Sequence, residues 1–323
     1  IDDTGLTGFA PVSAQEGERE QETRRTPALR NKVYEKLSEA QAAAEAKDLA
    51  TASSILDDML AGRRDSELNS YELANVYNLY AFIHYSNEDF AAALQAYENV
   101  IKQPEIPLAM EINTRFTVAQ LYFVQERWRE GIEALNKWFA MTDKPNTNAY
   151  VLLAQGYYQL EDYDKALENI EIAIADYEEK GRIPKEQWYN LARFLYSEKK
   201  MNDEAIEALR ELIAFYPKKQ YWVQLSFMYS EKGEERKQLA TMDTAYVQDM
   251  LEKDGEYRNM ASLFLSAEVP WKASLVLEEG FEKEIVEDNS KNWELMAGAL
   301  RQAQEIKKAI PAMEKAAKLS DDR

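Results

Sequence analysis

The 323-residue chain has no cysteine and a single histidine, His84. Disulfides and thiolate metal sites are therefore excluded, and zinc, which needs several ligands at close spacing, has too few candidates. Glycine (11) and proline (9) are scarce, so the punctuation of a loop-rich or β-rich fold is missing and helix is favoured. No apolar run approaches the roughly 20 residues of a membrane span. Lys/Arg-rich runs are absent too. With 39 basic against 58 acidic residues, a net charge of −19, the chain points away from nucleic acid and anionic membranes and would steer a basic segment towards itself. Asp254-Gly255 lacks the alternating oxygen ligands of a calcium loop, and there is no Gly-rich phosphate loop or nucleophile elbow. Acidic pairs such as Glu178-Glu179 and Glu278-Glu279 read as solvated helix charge. The residues imply a protein that is not an enzyme and calls for no cofactor.

What is present is a period. Trp188, Trp222 and Trp293 open the phrase Trp-x-x-[Leu/Met]-[Ala/Ser], with weaker copies at Tyr150 and Tyr257. Intervals of 34, 35 and 36 residues between Trp188, Trp222, Tyr257 and Trp293 mark a repeat array. Residues 1–26 (with EGEREQETRR at 16–25) have no periodicity and read as a flexible polar tail. From Pro27 onward helical periodicity is nearly continuous, so 27–323 is expected to form one array. The clearest unit is 147–180. Tyr150, Leu153, Ala154 and Tyr157 share one face of a first helix, a turn follows at Glu161-Asp162, and Tyr163, Ala166, Ile170 and Ala173 share a face of a second. The alanines let two antiparallel helices approach, and the aromatics are expected to fill the wedge between them.

This pattern resembles the tetratricopeptide repeat. The resemblance implies an all-α, right-handed α-solenoid of about eight helix-turn-helix pairs over residues 31–323. The small second-helix residue falls at Ala52, Ala93, Ala166, Ala205, Ala273 and Ala309, with Gly131 and Gln238 in the same place. The first-helix one falls at Ser38, Ala81, Ala119, Ala154, Ala192, Ser226, Ala261 and Ala297. The first pair is expected to carry extra residues between its helices, and the unit containing Met201 one inserted residue. His84 takes a packed or groove-edge place where the repeat has Tyr.

In that frame first helices line a groove, exposed at about the second, fifth, ninth, twelfth and thirteenth positions of each unit. The resulting residues are Asn75, Asn78, Phe82 and Tyr85; Asn113, Phe116, Gln120 and Phe123; Asn148, Gln155 and Tyr158; Tyr189, Arg193 and Tyr196; Gln220 and Phe227. Aromatic rings and side-chain amides with almost no charge suit an extended peptide, polyproline included. The carboxylate clamp of chaperone-binding relatives is not reproduced.

Four longer phrases, PALRNKVY (27–34), LNSYELANVYNLYAFIHYSNEDFAAALQAYENVI (68–101), IPKEQW (183–188) and YWVQLSFMYSEKGEERKQLATMDTAY (221–246), resemble a family of tetratricopeptide proteins. Its members are encoded beside a TonB–ExbB–ExbD energy-transduction system in marine gammaproteobacteria. The resemblance implies a periplasmic protein whose leader has been removed, in keeping with a sequence that opens Ile1-Asp2-Asp3. An adaptor binding a Pro/Lys-rich segment of that system is the leading expectation. A rigid spacer or homo-oligomerisation module acting through the array ends, and an outer-membrane or cell-wall assembly factor, stay open beside it.

Overall fold

A computed structural model describes residues 27–62 and 67–320, so the 1–26 tail lies outside the described residues. The described residues form sixteen α-helices and no strand. The chain divides at Pro145/Asn146 into two compact units. The first holds α1 (Asn31–Glu45), α2 (Leu49–Leu60), α3 (Ser70–Ser86), α4 (Phe90–Ile101), α5 (Leu108–Val124) and α6 (Trp128–Phe139). The second holds α7 (Thr147–Gln159), α8 (Tyr163–Glu179), α9 (Glu186–Glu198), α10 (Asn202–Phe215), α11 (Lys219–Glu231), α12 (Glu235–Val247), α13 (Asp254–Ser266), α14 (Pro270–Glu282), α15 (Ser290–Gln302) and α16 (Ile306–Leu319). In each unit odd and even helices pair as hairpins, and each even helix packs on the odd helix that follows.

Small residues set the hairpin contact. Ala52, Ala93, Ala166, Ala205 and Ala273 are fully buried and Ala309 nearly so, as are Ala81, Ala119, Ala154 and Ala261. Gly131 is smaller still because the Phe123 ring lies 2.8 Å from where a Cβ would sit. Ser38 departs from expectation: it is exposed, and Ala40 is the buried small residue of α1. The expected extra residues between α1 and α2 are also not found, since their turn is three residues long like every other turn inside a pair.

Those eight turns share one construction. The residue two places before the second helix is left-handed, with φ between 57° and 69°, at Lys47, Glu88, Glu126, Glu161, Lys200, Gly233, Glu268 and Gln304. The next residue donates its N–H back to a carbonyl five residues earlier, at 2.8–2.9 Å in all eight cases, as in Asp162 to Tyr157 and Val269 to Phe264. This is the 6→1 bond of a Schellman turn, which closes the first helix through backbone alone. Asp48, Asp89 and Asp162 then cap the second helix, their carboxylates accepting from Thr51, Ala92 and Lys165 N–H. Pro270 opens α14 at its first turn, where its missing N–H costs nothing.

Among the described residues one charge is fully buried. Glu72, in the first turn of α3, accepts from Arg30 Nε at 2.8 Å, Arg30 Nη2 at 2.6 Å and Asn69 N–H at 3.0 Å. The Arg30 hydrogen bond, ahead of burial acting the other way, holds its carboxyl below the usual range.

Two stability outcomes are expected. A left-handed non-glycine residue costs about 1–2 kcal/mol, partly offset by the smaller unfolded-state entropy of a side chain over glycine. Glu161→Gly should therefore raise the calorimetric melting temperature. Gly233→Ala, where a Cβ meets nothing within 4 Å, should lower it by backbone strain alone. The opposite signs would refute the strain. Because the folded Glu72 pKa is depressed, its stabilisation is complete above the unfolded value of about 4.3 and is lost as pH falls through the folded value. Glu72→Gln should accordingly lower the urea midpoint at pH 7, with the gap to wild type closing below about pH 4. A constant gap would show that the charge is irrelevant.

Candidate functional site

In the second unit the odd helices stand side by side. Tyr158 on α7 meets the ring of Phe194 on α9, centroids 5.6 Å apart. Asn190 of α9 donates to the Tyr221 hydroxyl of α11 at 2.8 Å. Lys219 of α11 lies 3.2 Å from Glu256 of α13, and Asn292 of α15 donates to Asp254 of α13 at 2.7 Å. Their free side is the face that the expected groove residues should line.

The start of each second helix gives the register. Its small residue lies 16 positions after the lead residue of the first helix in the pairs led by Tyr77, Arg115, Tyr150, Tyr257 and Trp293, and Gln238 holds the same place after Trp222. Counted back from Ala205, the lead residue of α9 is Tyr189, so the Trp188 phrase is one residue out of step. Burial agrees. Trp188 shares the third, buried position with Val76, Thr114, Ala149, Tyr221 and Asn292. The inserted residue expected near Met201 thus lies before α9, since the turn at 199–201 has the common length.

This corrects the three residues expected of α9. Tyr189 is buried, its hydroxyl donating to Glu178 at 2.7 Å and its ring stacked on Phe215. Tyr196 is turned to α8 and donates to Glu171 at 2.7 Å. Arg193 takes the eighth position, where other first helices have Ala or Ser. In place of these three, Gln187, Asn190, Phe194 and Ser197 occupy the second, fifth, ninth and twelfth positions. Counting back from Ala205 would have found them.

The other expected residues keep their positions and differ in what they touch. Asn148, Gln155, Gln220 and Phe227 are exposed, Phe227 to 63%. Val223, one turn before Phe227 and passed over in the sequence, is exposed too. Tyr158 is half-buried between Tyr163 and Phe194. In the first unit Asn78 and Asn113 are exposed, while Asn75 spends its amide on the Tyr71 carbonyl at 2.7 Å. Phe82, Phe116, Gln120 and Tyr85 are half-buried, Phe116 against Trp138 and Tyr85 edge-on to Phe90. Phe123 is buried against Trp128 and Gly131 and is not presented. His84 is half-buried beside Tyr80.

Across α7, α9 and α11 the second, fifth, ninth and twelfth positions read Asn148, Val151, Gln155, Tyr158; Gln187, Asn190, Phe194, Ser197; Gln220, Val223, Phe227, Ser230. None is charged, in a chain that is 30% charged. On α13 and α15 charge returns at Arg258, Lys291, Glu294 and Arg301. Among the described residues no group of three or more His, Asp or Glu could hold a metal ion, and no helix is long and apolar enough to cross a membrane.

Residues 151–219 match the family model of the tetratricopeptide repeat. The matched segment includes α8, α9 and α10, and so the middle helix, α9, of the neutral face. No curated protein matches the sequence. Among solved structures the chain is similar to a tetratricopeptide repeat protein from Parabacteroides merdae, at 14% identity and TM-score 0.44, covering 78% of this chain and 95% of that one. It is similar also to YrrB, described as a tetratricopeptide repeat protein with an unusual peptide-binding site, at 17% identity and TM-score 0.43, covering 55% and 84%. MamA is 20% identical at TM-score 0.44, covering 54% and 90%.

The packing separates presented rings from structural ones. Phe123→Ala should cost about 3–5 kcal/mol of unfolding free energy as a buried aromatic truncation, whereas Phe227→Ala should change it by less than about 0.5 kcal/mol. Urea titration of the two variants checks this. Equal losses would place Phe227 in the core.

Proposed function

We propose that this protein is a non-enzymatic adaptor that holds an extended segment of a partner protein across the first-helix face of its second unit. The observation that carries the reading is the uncharged face of α7, α9 and α11, with the Val223–Phe227 pair left open to solvent. Exposed rings offer contact area at little rotamer cost, and Asn148, Gln187 and Gln220 offer amide donors and acceptors to a peptide backbone. The net charge of −19 favours a segment that is basic overall. The long phrases that resemble proteins encoded beside a TonB–ExbB–ExbD system support a periplasmic setting and a Pro/Lys-rich segment of that system as the partner. Calorimetry with the periplasmic part of TonB should give binding that weakens at least tenfold in Val223→Ala/Phe227→Ala and is unchanged in Asn78→Ala. Binding indifferent to the face would refute it.

A second reading rests on a separate observation. Ile306, Ile310 and Met313 of α16, with Trp271 and Leu275 of α14, are all 40–52% exposed, which favours self-association through that end. Sedimentation would then show a dimer or larger species dissociated by Ile310→Glu.

A further inference from the structure

Arg193 is out of place chemically as well as in register. At the eighth position the other first helices of the second unit carry Ala154, Ser226, Ala261 and Ala297, all buried. Arg193 puts a guanidinium there, half-buried, with its Nε wholly shielded and unpartnered. Of the other described arginines five hold carboxylates, Arg30 with Glu72, Arg115 with Glu111, Arg127 with Glu130, Arg210 with Glu207 and Arg258 with Asp254, while Arg129, Arg182, Arg236 and Arg301 are exposed to water. Arg193 holds none among the described residues. The acid on its own helix that faces the same way, Glu186, is committed to Lys218 at 2.7 Å and to the Tyr221 hydroxyl. Burial pushes the Arg193 pKa down, opposed only by the field of Tyr221.

Register locates what lies opposite. Asn190 pairs with Tyr221, and one helical turn on from each come Arg193 and Gln224. The Gln224 Oε1 is likewise shielded and without a partner. The α9–α11 seam therefore carries an unpaired cationic donor and an unpaired acceptor on the flank of a neutral face. An isolated charge removed from water is costly until an opposite charge reaches it.

Resting on the adaptor reading, we propose that this seam is the anchor for a carboxylate of the bound segment: Arg193 takes an Asp or Glu side chain while Gln224 accepts a backbone N–H beside it. Phe227 lies one turn beyond Gln224 on the same helix, and adjacent helices sit about 8–10 Å apart. An extended chain advances about 3.3 Å per residue, so an apolar side chain on Phe227 falls about three residues from the anchored acid. The partner is thus a segment, basic or neutral overall, with an acidic and an apolar residue three apart.

The probe is a fluorescein-labelled, C-amidated peptide Ser-Lys-Glu-Pro-Ser-Leu-Lys-Ser, titrated with the full chain and read by anisotropy. Glu to Gln in the peptide should weaken binding about ten- to hundredfold, the scale of a charge-assisted hydrogen bond. Arg193→Met, which keeps the apolar stem, should weaken the Glu peptide equally and leave the Gln peptide unchanged. Arg193→Lys should recover only part of the loss. Moving Leu next to Glu should weaken binding without altering the response to Arg193→Met. Because Arg193 has no partner to lose, Arg193→Met should melt no lower than wild type, so weak binding cannot be put down to misfolding. Glu and Gln peptides that bind alike, both sensitive to Phe227→Ala, would overturn the anchor and leave the adaptor reading standing. Failure of the Glu peptide to bind at millimolar concentration would overturn the anchor, and failure of TonB binding as well would overturn both.

Discussion

A pair of helices cannot bury its own apolar surface, and everything else follows from how the next pair covers it. In the second unit the cover is aromatic. Trp188 sets its ring edge-on to Tyr177 of α8, Tyr257 meets Tyr246 of α12, and Trp293 stacks on Phe281 of α14 with centroids 4.3 Å apart. These rings sit at the third and fourth positions of the first helix and press on the second helix of the pair before, so they join successive pairs, and the wedge within a hairpin is left to the small residues. Hydroxyl–carboxylate bonds repeat the theme, from Tyr122 to Glu98 in the first unit and from Tyr196 to Glu171 in the second. Lysines add to it: Lys218 reaches Glu186, Lys219 reaches Glu252 and Lys283 reaches Asp249, each 32–34 residues away.

That division of labour explains what the sequence made legible. Hairpin contacts depend on single small residues at a fixed distance after the turn, and Ala93, Ala166, Ala205 and Ala273 stand out in any reading. The helices themselves follow, as with α7 and α8 on either side of the turn expected at Glu161-Asp162. Seam residues are harder. Tyr189 and Trp188 are adjacent aromatics, either of which fits the lead position, and the eye takes the tryptophan. The distance back from Ala205 separates them, and the packing agrees, burying both but turning Trp188 to Tyr177 and Tyr189 to Glu178. One residue of slip rotates a helix by 100°, enough to exchange a groove residue for a seam residue. Phe123 failed for another reason: its register was right, but glycine at 131 opened a hole that the ring filled. Ser38 lost its place because α1 buries Ala40 instead.

The turns were almost illegible. A left-handed residue is ordinarily announced by glycine or asparagine, and here Glu or Lys takes the place in six of eight cases, with glycine only at 233. The 6→1 backbone bond over-determines the conformation, so side-chain identity is freed. Charge then goes where it does most for solubility, on the tips. The neutral face of α7, α9 and α11 stands out against that background, since acids are plentiful on the partner helices α8 and α10.

The seams also have a mechanical meaning. Each hairpin is closed by backbone bonds and by alanines with no rotamers to change, so it behaves as a stiff plate. Neighbouring plates are joined by tilted rings, tyrosine hydroxyls and long lysines, all of which can rotate through small angles without losing contact. Under load the second unit should bend at the joints between its hairpins and hardly at all within them. A segment lying across α9 and α11 spans such a joint, so gripping it and stiffening it would be the same event.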